Sequence, residues 1–132
     1  MLERITTAGV LERDGLFLIA KRREGGAIGE MWEFPGGKNR YGESEAETLV
    51  REWKEELNLE IGVGSFICSH DFTNKETLYH LKAYQVSCDD FSPMRLFFHT
   101  DVRFVTKEKL HLFRFAPSDQ HVVNALLQGD ER

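Results

Sequence analysis

The sequence predicts a single α/β domain in which helices pack on both faces of a mixed sheet. The chain has 132 residues, which is close to the usual size of one domain, roughly 100–200 residues. Segments that favour strands and helices follow the order strands, helix, strands, helix, which leaves little room for repeated βαβ crossovers. We therefore expect one α/β/α sandwich over residues 1–132 rather than a doubly wound parallel sheet.

The first half of the chain begins with strand signals. Residues 5–11 are rich in β-branched side chains, and Asp14-Gly15 is a typical hairpin turn pair. Residues 16–20 form a short apolar run that is consistent with a buried strand. A glycine-rich loop at 24–30 follows, and a short strand is expected at 32–34.

One strong helix is predicted in the middle of the chain. Ser44 is a good N-cap, and Glu47 three residues later completes a capping box. Glu47 and Arg51 have the i, i+4 spacing of an ion pair, and Asn58 is well suited to end the helix in the left-handed conformation. A stripe of apolar residues at helical spacing should face the core: Ala46, Leu49, Val50, Trp53 and Leu57.

Strand signals return after this helix. Residues 66–69 and 78–86 are the clearest, and 103–105 indicate a further strand. A last helix should open near Pro117, with an apolar face formed by Val122, Val123, Leu126 and Leu127.

Composition and charge exclude several functional classes. Apolar residues make up 41% and charged residues 30%, which excludes wholesale disorder. The 17 basic and 22 acidic residues give a net charge of −5, so we expect no binding to duplex nucleic acid, which requires a basic surface. No apolar run approaches the roughly 18 residues of a membrane span, and the start is too polar for a secretory signal. These features favour a cytoplasmic protein that does not contact membranes.

Three glutamates form a cluster on the middle helix. Glu52, Glu55 and Glu56 are related by i, i+3 and i+4, so their side chains are neighbours on one helix face. Such a cluster is either a solvated acidic face or a cation site. Glu56 lies only about 20° from Leu49 on the helical wheel, which puts the acids at the edge of the core. Carboxylates crowded there favour a hard divalent cation such as Mg²⁺.

The loop before the helix is suited to the same purpose. Gly36-Gly37 lets the backbone approach a ligand or metal closely, and Lys38 adds a positive charge. Taken alone, this Pro-Gly-Gly segment indicates simply a tight turn. It is not a Walker A loop, because GxxxxGK[ST] is absent from the sequence.

Spacing joins the loop and the helix into one longer pattern. Five residues separate the second glycine from a glutamate, and seven more precede an arginine–glutamate pair. The pattern closely resembles the Nudix box, G-x5-E-x7-R-E-U-x-E-E-x-G-U, where U is a bulky aliphatic residue. Trp53 stands in place of an aliphatic residue and Asn58 in place of a glycine. The matching residues are Gly37, Glu43, Arg51, Glu52, Glu55, Glu56 and Leu59.

This resemblance implies a fold and a chemistry. Nudix proteins are α/β/α sandwiches with a loop–helix–loop at the box, and they use Mg²⁺ or Mn²⁺ and water to cleave a nucleoside diphosphate linked to another group. The resemblance implies Glu52 as general base with Glu56 second, while Arg51 and Glu43 hold the loop and orient the carboxylates. The implied metal ligands are the Gly36 carbonyl, Glu52, Glu55 and Glu56.

Other segments resemble the MutT branch of the family. These are residues 32–38, the basic run ending at Arg22-Arg23, and residues 115–119. The likeness implies Mg²⁺-dependent hydrolysis of a nucleoside triphosphate to a monophosphate and pyrophosphate, with an oxidised purine such as 8-oxo-dGTP as the favoured substrate. The implied substrate-binding residues are Arg22 and Lys38 at the phosphates, Phe34 beside the base, and Asp119 at the base edge.

Several of these residues have a second interpretation. Arg22 and Lys38 could be ordinary surface charges, and Phe34 could be a buried strand residue. For Asp119, the second interpretation is helix capping, since Ser118 or Asp119 could cap the last helix. Some relatives use a further carboxylate from outside the box, but Phe98 occupies the corresponding position, which leaves Asp101 as the nearest replacement. The five histidines show no metal-ligand spacing and receive no role.

Other functions remain open at this stage. A CTP or modified dCTP pyrophosphohydrolase would use the same chemistry, and so would an enzyme acting on dinucleoside polyphosphates or RNA 5′ ends. A sensor that binds a nucleotide without cleaving it is disfavoured by the complete set of box carboxylates. We expect a monomer or a homodimer.

Overall fold

The computed structural model describes residues 1–129; residues 130–132 of the expected domain lie outside the described part. Strands and helices alternate in the expected order along the chain. The elements are β1 (Leu2–Arg13), β2 (Leu16–Arg22), β3 (Trp32–Glu33), α1 (Glu45–Leu57), β4 (Gly62–Asn74), β5 (Thr77–Ser87), β6 (His99–Thr106), a 3₁₀ helix (Lys107–Leu112) and α2 (Pro117–Gly129).

The strands form one mixed sheet. Its order is β3-β2-β1-β5-β4, and β6 also pairs with β2. β1 and β5 are parallel along ten residue pairs, from Leu2↔Thr77 to Leu11↔Val86, while the other pairings are antiparallel. The β1–β2 hairpin turns at Asp14 and Gly15, whose φ angles of 54° and 78° match a two-residue turn with two left-handed positions. The predicted hairpin is confirmed.

Helices cover both faces of the sheet. On one face, Leu49, Trp53 and Leu57 of α1 pack against Leu11 and Leu18. On the other face, the core is centred on α2 and the 3₁₀ helix: Val122, Val123, Leu110, Val10, Phe17, Ile19, Phe34 and Phe115. The α/β/α sandwich with a mixed sheet is therefore confirmed.

Helix α1 begins as the capping box predicts. The Ser44 hydroxyl accepts a hydrogen bond from Glu47 N at 3.0 Å, and the Glu47 carboxylate accepts one from Ser44 N at 2.9 Å. At the other end, Asn58 has φ 56° and ψ 36°, so it occupies the left-handed position where the Nudix pattern has glycine.

The predicted apolar stripe of α1 is partly wrong. Leu49, Trp53 and Leu57 are buried, but Ala46 and Val50 are exposed. Thr48 is buried instead, because its hydroxyl donates to Glu43 at 3.0 Å in the loop that covers this side of the helix. In the first turns of α1 the loop therefore covers Thr48, while the sheet covers Leu49.

Within residues 1–129, no helix is both long enough and apolar enough to cross a membrane.

Candidate active site

The loop that precedes α1 is bound to the central strand β1. Gly9 N donates to Pro35 O at 2.8 Å, and Thr7 N donates to Gly37 O at 2.8 Å. The Thr7 hydroxyl also accepts from Gly37 N at 3.2 Å. The loop is thus held by backbone contacts along one edge and is not a free turn.

Gly36 and Gly37 both lie so close to neighbouring atoms that an added Cβ would clash with them at either position. A Cβ on Gly36 would lie 2.0 Å from Thr7 O, which is a backbone atom of β1. A Cβ on Gly37 would lie 2.4 Å from the carboxyl carbon of Glu52. The first glycine therefore lets the loop pack on the sheet, and the second makes room for a glutamate of α1.

Arg51 is the hub that joins the loop to the helix. Its guanidinium contacts Glu43 through two bonds of 2.6 and 3.0 Å, and it donates to Glu52 at 2.9 Å. It also reaches Glu55 at 3.4 Å and the carbonyl of Lys38 at 3.0 Å. The planar guanidinium of Arg51 is suited to such bidentate contact with a carboxylate. This hydrogen bonding lowers the pKa of Glu43 to about 2.

The expected ion pair between Arg51 and Glu47 is absent among the described residues. The Glu47 carboxylate is already engaged by the capping box at Ser44. Arg51 points instead to the loop side, where Glu43 lies. The i, i+4 spacing allows a contact between Glu47 and Arg51, but Glu47 bonds to Ser44 N and Arg51 pairs with Glu43 instead.

Glu56 is the most perturbed acid of the cluster. Burial, together with the neighbouring Glu33 and Glu52 carboxylates, raises its pKa to about 9. Its Oε1 atom is buried and has no hydrogen-bond partner within the described part of the chain. A buried oxygen of this kind is costly unless another group satisfies it. A divalent cation beside Glu52 and Glu56 would do so, and the donor set consists of the oxygen ligands that Mg²⁺ prefers.

Two residues at this site were not predicted from the sequence. Glu33 accepts from Arg22 at 2.8 Å and meets His99 Nε2 at 2.7 Å. Glu33, Glu56 and His99 each offer a ligand atom, and these atoms lie within 4.8 Å of one another. The alternation at 32–34 could have placed Glu33 on the α1 face, opposite its two aromatic neighbours. Nothing in the spacing points to His99, which arrives through the pairing of β6 with β2 at Arg22.

The substrate-binding candidates occupy different environments. Arg22 is ion-paired to Glu33, and its side chain is 28% exposed. Lys38 is exposed, with its ammonium 5.6 Å from the centre of the Tyr79 ring. Phe34 is buried and stacks on Phe115, which supports its interpretation as a core residue, although β3 ends one residue earlier at Glu33.

Asp119 lies inside the first turn of α2. The helix begins at Pro117, so the alternative in which Asp119 is the N-cap is wrong. Its carboxylate instead accepts from Phe34 N at 2.9 Å, far along the chain. Burial and the Glu33 carboxylate raise the pKa of Asp119 above its ordinary value. The residue therefore joins the start of α2 to the segment that leads into the glycine loop.

Asp101 is not placed to replace the missing carboxylate. It pairs with Arg103 at 3.1 Å, and the Arg103 guanidinium lies 5.8 Å from the centre of the Trp32 ring. Trp32 belongs to the core on the α2 face, whereas Glu56 projects from α1 on the opposite face. Strand alternation therefore puts Asp101 on the wrong side of the sheet for the acid cluster.

A cavity of about 630 Å³ lies elsewhere, between the sheet and the end of α2. Its lining includes Val10, Phe17, Ile67 and Leu126 and none of the loop or helix carboxylates described above. The candidate active site is therefore the acid cluster with its glycine loop, because the carboxylates that could hold a cation lie there and not at the cavity.

A glycine loop bound to the sheet, an arginine hub and a set of helix carboxylates together define a Nudix site. A model of the NUDIX domain matches residues 6–125, and the chain belongs to that family. It is a Nudix hydrolase that acts on phosphoric anhydrides. Enzymes of this family generally use divalent metals and act on small nucleotide substrates.

Similar proteins share most of the chain. The "CTP pyrophosphohydrolase" of Escherichia coli is 32% identical over 120 residues, which cover 91% of this chain and 88% of that protein. The "Putative 8-oxo-dGTP diphosphatase 2" of Mycobacterium tuberculosis is 35% identical over 123 residues, covering 91% and 85% respectively. The solution structure of the E. coli ORF135 protein has a TM-score of 0.85 at 30% identity, covering 97% of this chain and 91% of that one. These relatives support pyrophosphohydrolase activity and differ in the base they are named for.

Proposed function

We propose that this protein is a Mg²⁺-dependent pyrophosphohydrolase of nucleoside triphosphates, releasing the monophosphate and pyrophosphate. The observation that carries the proposal is the buried Glu56 Oε1, which has no hydrogen-bond partner within residues 1–129 and lies beside Glu52, under a loop whose Gly37 leaves room for the Glu52 carboxylate. Such a site suits a hard cation that would be the missing partner. Mn²⁺ fits the same ligands.

The metal would be held by Glu52, Glu55, Glu56 and the carbonyl of Gly36. When bound, it would neutralise the phosphates and lower the pKa of the attacking water. Arg51 keeps Glu52 and Glu55 oriented through its contacts with both, and Glu43 fixes Arg51 in turn. In this proposal Glu52 is the general base, and the ordering of its carboxylate by Arg51 supplies much of the positioning on which phosphoryl transfer depends.

The favoured substrate in this proposal is an oxidised purine triphosphate such as 8-oxo-dGTP. Asp119 is the candidate reader of the base, because its carboxylate is buried at the start of α2 beside Phe34. A protonated carboxyl both donates and accepts hydrogen bonds, whereas an ionised one accepts only. Both forms have partners on an oxidised purine.

A cytidine substrate is the second candidate. The E. coli relative named as a CTP pyrophosphohydrolase shares 32% identity over nearly the whole chain. The cytosine amino group would donate a hydrogen bond to an ionised Asp119 carboxylate. The metal chemistry is the same for both candidates, and the difference lies in the base contact.

The test is pyrophosphate release with Mg²⁺ across ordinary, oxidised and methylated nucleoside triphosphates, dinucleoside polyphosphates and RNA with a 5′ triphosphate. Preference for the oxidised purine supports the leading candidate, and preference for cytidine nucleotides supports the second. Glu56→Gln is the control: it removes the charge of one proposed metal ligand, so turnover should fall on the order of 10²-fold or more while nucleotide binding is retained. A wild-type protein that binds nucleotides without cleaving any of them would contradict the proposal and support a sensor.

A further inference from the structure

Trp53 stands where the Nudix pattern has an aliphatic residue, and it makes a contact that no aliphatic side chain can make. Its indole Nε1 donates to the carbonyl of Pro35 at 2.9 Å inside the core. The side chain is fully buried. A Cβ on Gly9 would lie 2.6 Å from this same nitrogen, so the indole occupies space that glycine leaves on β1. Gly9 and Trp53 therefore fit each other.

The contact falls directly beside the implied backbone ligand. Pro35 O accepts from both Gly9 N and Trp53 Nε1, which fixes the peptide before Gly36. Gly37 N donates to the Thr7 hydroxyl, which fixes the peptide after it. The N–H and C=O of a trans peptide point in opposite directions, so the Gly36 carbonyl faces away from Thr7 and β1.

Trp53 also belongs to the helix that carries the side-chain ligands. It follows Glu52 directly in α1 and precedes Glu55 and Glu56 by less than one turn. Its hydrogen bond therefore links the helix that bears the carboxylates to the loop that bears the Gly36 carbonyl. With an aliphatic residue at this position, the loop would keep its bonds to β1 but lose this direct link to α1.

We propose that the Trp53 indole is a positioning residue of the metal site, which sets the Gly36 carbonyl relative to the carboxylates of α1. The inference rests on the proposed function, because it assumes a cation at those ligands. Outer contacts that orient metal ligands are typically worth roughly 10–100-fold in metal affinity or activity. We expect an effect of that size from loss of the indole N–H.

The variant that tests this is Trp53→Phe, which keeps an aromatic ring and removes the donor. Mn²⁺ binding to the metal-free protein is measured by the electron paramagnetic resonance signal of free Mn²⁺. We expect roughly 10-fold weaker binding in Trp53→Phe, and a lower kcat with little change in KM. Trp32→Phe is the matched control, since Trp32 lies in the core on the opposite face. It should bind Mn²⁺ as the wild type does.

A second measurement uses the wild-type protein and does not depend on the folding of a variant. The chain has two tryptophans, so its ¹H–¹⁵N NMR spectrum contains two indole N–H resonances. The resonance that disappears in Trp32→Phe belongs to Trp32, and the other belongs to Trp53. Addition of Mg²⁺ should shift the Trp53 resonance and leave that of Trp32 in place. Wild-type affinity and kcat in Trp53→Phe, or an unmoved Trp53 resonance at saturating Mg²⁺, would overturn the inference. A wild-type protein that binds no Mn²⁺ would instead overturn the proposed function.

Discussion

A single methyl group added at Gly37 would press on the carboxylate of Glu52, the proposed general base. A Cβ there would lie 2.4 Å from the carboxyl carbon of Glu52 and 2.6 and 2.7 Å from its two oxygens. Ordinary contact begins at 3.4 Å, so Gly37→Ala requires the carboxylate to move by about 1 Å. The obstacle is the end of a side chain, which can move without displacing the backbone. We therefore expect the fold to tolerate the change.

In contrast to the fold, catalytic activity should be sensitive to Gly37→Ala. A misplacement of about 1 Å at a reacting group can cost on the order of 10²-fold in rate. The contact between Arg51 and Glu52 at 2.9 Å would also be strained by the shift. Steady-state pyrophosphate release should therefore fall about 100-fold in Gly37→Ala, while the urea midpoint of unfolding changes little.

Two other glycines are matched controls for this reasoning. At Gly36 the added Cβ would meet the backbone carbonyl of Thr7 at 2.0 Å, so Gly36→Ala should lower both stability and activity. At Gly64 the nearest atom is 3.5 Å away, which is ordinary contact, so Gly64→Ala should change neither. Retention of full activity in Gly37→Ala, or a loss of stability equal to that of Gly36→Ala, would refute the argument that this glycine serves the carboxylate.

Two further predictions concern charged contacts. Arg51→Lys keeps the charge but loses the fork that holds Glu43, so kcat/KM should fall roughly 10–100-fold; unchanged kinetics would show that the fork is dispensable. Glu3 and Asp71 hydrogen-bond the ring of His80 and raise its pKa, so their contribution to stability is present below the ordinary pKa of 6.5 and is lost as pH rises through the raised value. His80→Asn should therefore lower the urea midpoint more at about pH 5.5 than at about pH 9, and an equal loss at both would contradict this assignment.

The contiguous parts of the site could be predicted from the sequence. The glycine loop, the capped helix and the acids of α1 lie within 23 residues, so their spacing alone brings them together. The sequence also predicts that Asn58 can replace glycine at the end of α1, because asparagine tolerates the left-handed conformation that the structure shows there.

The parts that depend on strand register could not be predicted. His99 meets Glu33 across 66 positions of the chain, and the β2–β6 pairing that places it is irregular between Lys21 and Arg22. A shift of one residue in a strand moves every side chain to the opposite face. For the same reason Asp101, which is near in sequence to the expected position, lies on the wrong face of the sheet.

The hydrogen bond from Phe34 N to the Asp119 carboxylate limits the distance between two parts of the proposed site. Phe34 N is held by the candidate base reader, and Gly36, which carries the implied metal ligand, is two residues further along. Two residues of extended chain span at most about 7 Å. The proposed base contact and the proposed metal contact therefore lie at the two ends of one short piece of backbone. A change that shifts this piece of backbone would therefore displace both proposed contacts together.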